Sequence, residues 1–110
     1  MKKLLLMALL VTMIVDVTAY TPHENGGHGI CAMGHRSIEG RTVALNGVPL
    51  GATVIYNGHK YTVEDRVGHD GVLDICMEDY HRALQFGRKR NVKIEVYYWN
   101  EKQYVFRFTL

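Results

Sequence analysis

Apolar and polar residues alternate along several short stretches of this chain, with the two-residue period of strands rather than the period of helices. Residues 41–45 alternate in this way, Pro49-Leu50-Gly51 turns the chain, and residues 53–63 alternate on both sides of Asn57-Gly58. That dipeptide suits the positive φ angles of a tight two-residue turn, so a hairpin is predicted there. Tyr61-Thr62-Val63 then runs into Glu64-Asp65, Gly68 and Gly71 punctuate a loop, and Val72-Leu73 leads into Asp74 and Ile75-Cys76-Met77. Residues 92–99 and 104–110 alternate on either side of Asn100-Glu101, which predicts a second, C-terminal hairpin with Tyr104, Phe106, Phe108 and Leu110 on its apolar face. One helix of about two turns is predicted after Glu78-Asp79, which can cap it. Tyr80, Ala83 and Leu84 share a face of that helix and Gly87 supplies its stop. Many short strands, two hairpins and one short helix describe a small, mostly β barrel.

A length of 110 residues, 47% of them hydrophobic, allows one domain with one core. The formal charge of +2 is too weak to suggest a nucleic-acid partner, and aromatic and basic residues do not interleave as in single-strand binders outside the C-terminus. Lys2-Lys3 followed by the apolar residues 4–15 has the form of a secretory signal, because twelve residues are too few to span a bilayer. Residues 1–16 are therefore expected to be a signal peptide or an N-terminal membrane tether, and residues 17–110 the domain, exported to the periplasm, cell envelope or exterior. Val17-Thr18-Ala19 fits a cleavage site, yet residues 13–20 also alternate as a strand could.

Residues 21–40 are rich in glycine and histidine and read as a long surface loop with a short strand at 30–33. His28, Cys31 and His35 have a loosely metal-like order that matches no established zinc spacing, so solvated loop histidines are the favoured reading. His59, just after the hairpin turn, reads as a solvent-facing strand residue. Arg88-Lys89-Arg90 follows the helix, where its C-terminus favours cations. Cys31 and Cys76 are an even pair that an oxidising compartment would bridge, and two buried thiols is the alternative.

Asp65 and Asp74 are the candidate chemistry. Each ends or interrupts an apolar strand segment, and a carboxyl group between Leu73 and Ile75 near a second carboxylate could be held protonated as a general acid. Asp beside glycine also caps turns routinely, and spacing alone does not separate the two roles. Residues 18–98 resemble the 3D domain family, named for three aspartates and found in bacterial cell-wall lytic transglycosylases and stationary-phase survival proteins. The resemblance is carried by TAYTP at 18–22, GICAMG at 29–34, VPLGATVIYNGHKYTVED at 48–65 and LDICMEDYHRALQFGRK at 73–89. Where the family has its first aspartate this chain has Ala44-Leu45-Asn46, and the 66–71 loop looks about two residues short.

The resemblance implies a six- to seven-stranded double-psi β-barrel with one short helix, here with an extra C-terminal hairpin. It further implies lytic cleavage of peptidoglycan between N-acetylmuramic acid and N-acetylglucosamine, with Asp74 as acid and base and Asp65 as its neighbour. Ordinary glycoside hydrolysis uses two carboxylates, whereas a lytic enzyme can use one twice and leave a 1,6-anhydro end. Asn46, Tyr20, Gly68 and His69 are the candidate substrate-binding residues. The mechanism calls for no cofactor or metal, and the expected partner is a glycan strand bound by a monomer. A non-catalytic wall-binding module on the same barrel is the alternative.

Overall fold

A computed structural model of the chain describes residues 2–23 and 29–105, with side chains over 8–23 and 29–99. Six strands and one helix follow in order: β1 (Lys2–Tyr20), β2 (Thr42–Ala44), β3 (Thr53–Tyr56), β4 (His59–Asp65), β5 (Val72–Cys76), α1 (Tyr80–Phe86) and β6 (Lys89–Val105). The strands close into a barrel in the order β1-β5-β2-β4-β3-β6. Two of the pairings, β1 with β5 and β2 with β4, are parallel, and the rest are antiparallel. A path across the pairs leaves β1 at Ala19, passes Ile75, Val43 and Val63, and continues from the adjacent Thr62 through Thr53 and Tyr97 to re-enter β1 at Leu10. That offset is the stagger that tilted strands need in order to close.

Alternation fills the interior. Val15 and Val17 of β1, Val54 of β3, Val63 of β4, Leu73 and Ile75 of β5, and Ile94 and Val96 of β6 meet there with Val43, Leu45, Val48 and Ala52. The β3–β4 hairpin forms as its sequence requires, with Asn57 at φ 50° and Gly58 at φ 75°. Asp79 caps α1, accepting hydrogen bonds from the amides of His81 at 2.8 Å and Arg82 at 3.2 Å, and Gly87 ends it. Those two bonds also hold the Asp79 carboxyl below its usual range. Only Ala83 of the helix is buried; Tyr80 and Leu84, expected on its packed face, are exposed. Phe86, half-buried at the end of the helix, also packs against the core. Asp79→Ala is expected to lower stability by about 1 kcal/mol, read as a small fall in the urea midpoint with an unchanged slope.

Two expectations are corrected. The C-terminal hairpin does not form: β6 runs unbroken through Asn100-Glu101, which pair with Met7 and Leu6 of β1. The physical reason is that β1 pairs with β6 along this whole length, which keeps residues 100 and 101 extended where a hairpin would need them to turn. Phe106, Phe108 and Leu110 of that expected hairpin lie outside the described residues. Residues 30–33 are not a strand but part of a tight loop, closed by the isolated bridge between Ile30 and Arg36. Residues 41–45 alternate as expected, with Val43 and Leu45 in the core, and Thr42 and Ala44 are buried on the other face.

The apolar N-terminal run and the alternating residues 13–20 form one strand, with Val15 and Val17 in the core. A cut after Ala19 would remove all of β1 but Tyr20 and open the barrel between β5 and β6.

Candidate functional site

The register of three neighbouring pairs sets the two carboxylates in one row. Thr18 of β1 pairs with Asp74 of β5, Asp74 is opposite Ala44 of β2, and Ala44 is beside Asp65 of β4. Ala44 thus separates the carboxylates by two strand spacings, which puts their backbones about 10 Å apart. A bulge produces this alignment. Val43 pairs with Val63 but Ala44 pairs with Asp65, so Glu64 is the extra residue that the pairing skips.

Asp74 and Asp65 are both half-buried. The Thr18 hydroxyl donates to Asp74 Oδ1 at 2.8 Å. Asp65 Oδ1 accepts from the amides of Arg66 at 2.9 Å and Ala32 at 3.1 Å, and so ties the loop of residues 29–41 to the end of β4. Leu73 and Ile75, the apolar neighbours of Asp74 in sequence, point into the core, so strand alternation places them on the face opposite Asp74. They are not what surrounds the carboxyl group.

Tyr20 lies among these groups. Its hydroxyl donates to Ser37 Oγ at 3.1 Å. Burial raises the phenol well above its usual range; the Ser37 bond opposes this, and the nearby Cys76, Asp65 and Asp74 add to it. Tyr20 is therefore a fixed neutral donor within electrostatic reach of both carboxylates.

The loop above the row is held by a group that strand pattern did not single out. Glu64 has a side chain with 0% exposure and accepts from Thr42 Oγ1 at 2.9 Å, from Arg41 Nε at 3.1 Å and Nη2 at 3.0 Å, and from His35 Nε2 at 2.9 Å. Burial pushes this carboxyl up, but the hydrogen bonds from Thr42, Arg41 and His35 together with the Arg41 charge outweigh it and hold Glu64 below its ordinary value. His35 also bonds to the Arg36 carbonyl through Nδ1 at 2.9 Å, and with the Glu64 bond this raises its pKa despite partial desolvation. The loop closes on itself through Cys31 N to His35 O at 2.8 Å and Ser37 N to Gly29 O at 2.7 Å. Gly29 has φ 75°, and a Cβ there would meet the Pro22 Cβ and carbonyl oxygen at 2.8 Å.

The other candidates are placed as follows. Asn46 turns its amide to the 66–71 loop, with Nδ2 donating to Val67 O at 2.8 Å and Asp70 Oδ1 at 3.0 Å while Oδ1 accepts from Val67 N at 3.1 Å. An aspartate there would face a carbonyl and a carboxylate with no proton to offer. Asn46→Asp is accordingly expected to lower stability by about 1 to 3 kcal/mol at neutral pH, read as a fall in melting temperature that narrows once the pH is low enough to protonate the new carboxyl. Gly68 is exposed and a Cβ there would meet nothing within 4 Å. His69 lines a polar hollow of about 520 Å³ with Asp16, Asp70 and Arg88, whose lining includes neither Asp65 nor Asp74.

Arg88 Nε reaches Asp16 Oδ2 at 2.8 Å and Arg90 Nη1 reaches it at 3.4 Å, while Lys89 Nζ donates to Phe86 O at 3.3 Å across the end of α1. The cationic run therefore closes the helix end and pins β1. Cys31 and Cys76 are both buried free thiols. The Cys31 sulfur stands 3.8 Å from both ring nitrogens of His35, and Cys76 is pushed up to about 12, first by burial and then by Glu78 and Glu39. His28 lies outside the described residues. His59 is exposed, as expected for a solvent-facing strand residue, and its ring bonds to Gly40 O at 2.9 Å.

No protein-family model matches the chain, and no curated protein matches it.

Proposed function

We propose that this chain cleaves the glycan strand of peptidoglycan as an exported lytic transglycosylase of the 3D domain family, with Asp74 as its acid and base. The observation that carries this reading is the row Thr18–Asp74–Ala44–Asp65, two carboxylates on the strands either side of β2 beneath a fastened loop. Asp74 gives its proton to the glycosidic oxygen as the bond to the N-acetylmuramic acid C1 breaks. The resulting carboxylate then takes the proton of the C6 hydroxyl as that oxygen closes on C1, giving the 1,6-anhydro end. Thr18 orients Asp74, Asp65 anchors the loop over the sugar, and Tyr20, fixed by its bond to Ser37, stays neutral within electrostatic reach of both carboxylates. The two parallel pairs, β1–β5 and β2–β4, in an otherwise antiparallel barrel support the double-psi form of the fold.

A specific observation favours a second reading, a non-catalytic glycan-binding module. Asn46 stands where the resemblance expects a carboxylate, and its amide is used to tie the 66–71 loop rather than turned to a ligand. Mass spectrometry of purified peptidoglycan after incubation separates the readings. Anhydro ends support lytic cleavage, reducing ends point to a hydrolase, and intact strands to a binder.

A further inference from the structure

A second surface feature lies on the far side of the 49–53 turn from Asp65. Tyr97 and Trp99, 43% and 66% exposed, stand on β6 beside Leu50, Gly51 and Ala52 and border a groove of about 360 Å³. The cross-strand neighbour of Trp99 is Ala8, too small to cover an indole, and Gly51 and Ala52 add little side chain. The Tyr97 ring is held in place by its hydroxyl, which donates to Glu95 Oε2 at 3.1 Å. Among the described residues, none that lines the groove is charged. Such a lining offers little to an anionic polymer, whereas broad aromatic faces edged by a phenol suit a ring that is apolar on its faces and hydroxylated at its rim.

The groove also continues from the carboxylates. Thr62 of β4 pairs with Thr53, and Thr53 pairs with Tyr97. Asp65 lies at the end of the same strand, so strand geometry puts its backbone roughly 10 to 15 Å from that of Tyr97. A polymer lying across Asp74 and Asp65 would run over the Pro49–Ala52 turn onto these rings.

From this juxtaposition we infer that the Tyr97–Trp99 groove is a binding subsite for an uncharged pyranose unit of a β-1,4-linked N-acetylhexosamine chain, stacked on the two aromatic rings. The inference rests on the wall-glycan reading above and assigns its outlying subsite. Trp99 is the chain's one tryptophan, so its fluorescence reports on this groove directly. The probe is a soluble tetrasaccharide of β-1,4-linked N-acetylglucosamine, titrated into the full chain. Wild type and Asp74→Asn are expected to show the same saturable shift of emission to shorter wavelength. Tyr97→Ala, at an exposed position, is expected to fold and to weaken the sugar about 3- to 10-fold, the value of one aromatic stack.

Absence of any shift at millimolar sugar overturns the inference. If wall digests still contain anhydro ends, the subsite alone has failed and the proposed function stands. A shift with intact wall strands supports the subsite and removes the cleavage. An emission shift that follows protein concentration without sugar, with a doubled mass in sedimentation, also overturns it, because a second copy then covers the groove.

Discussion

Asp74→Asn is expected to fold as the wild type does, to keep its affinity for purified wall material, and to release anhydro products at least about 100-fold more slowly, the low end of what positioned acid–base catalysis contributes. The variant is conservative in the right way. Asparagine keeps an Oδ1 acceptor for the Thr18 hydroxyl at the position where that bond is now 2.8 Å long, and Asp74 lies on the face opposite the core residues Leu73 and Ile75. What it removes is the proton that must leave in the first step and return in the second. Asp65→Asn should do less, since an amide oxygen can still accept from Ala32 N and Arg66 N and hold the loop. Product release measured for both variants against wild type decides the assignment. Retained cleavage in Asp74→Asn with loss in Asp65→Asn would reverse the roles, and unchanged cleavage in both would end the proposal for this row.

The fold was legible wherever a short-range rule decided the matter. Asn57-Gly58 announces its turn because few other dipeptides accept two successive positive φ angles, and Asp79 and Gly87 bracket a helix because end groups need partners. The C-terminal hairpin failed for the opposite reason. Asn100-Glu101 imposes no conformation of its own, and the pairing of residues 89–105 was decided by β1, distant in sequence. Asp65 and Asp74 were visible as carboxylates that end or interrupt strand segments, but their common row depends on Ala44, whose part in the sequence was silent. Strict alternation would have turned Glu64 away from its neighbours and left it an ordinary polar strand residue. The bulge that skips it has no marker in the chain, since neither glycine nor proline stands at 63–65. Sequence proximity misled at Asp74, because flanking residues in a strand face the other side.

Glu64→Gln should be the most damaging exchange of a single polar group in the loop's support, costing about 2 to 3 kcal/mol. The carboxylate has no exposed side-chain surface and four donated hydrogen bonds, three of them from cationic side chains, and glutamine would turn an N–H toward donors that need an acceptor. The cost stays below the extreme for buried pairs because Arg41 and His35 are 57% and 37% exposed and can turn to water. For a domain of this size the melting temperature should fall by roughly 10 °C. The pH dependence identifies the cause. Glu64 is depressed in the folded state, so its contribution is complete above the unfolded glutamate value of about 4.3 and is lost as the pH falls through the lower folded one. His35 is raised, so its contribution is complete below the unfolded histidine value of about 6.5 and is lost as the pH rises through the higher folded one. The gap in melting temperature between wild type and Glu64→Gln should therefore be widest between about pH 4.5 and 6.5 and narrow on both sides. Above that window it does not close, because Arg41 and Thr42 still reach the carboxylate. A gap independent of pH would mean that Glu64 supports the loop by its shape alone and that its charge contributes nothing.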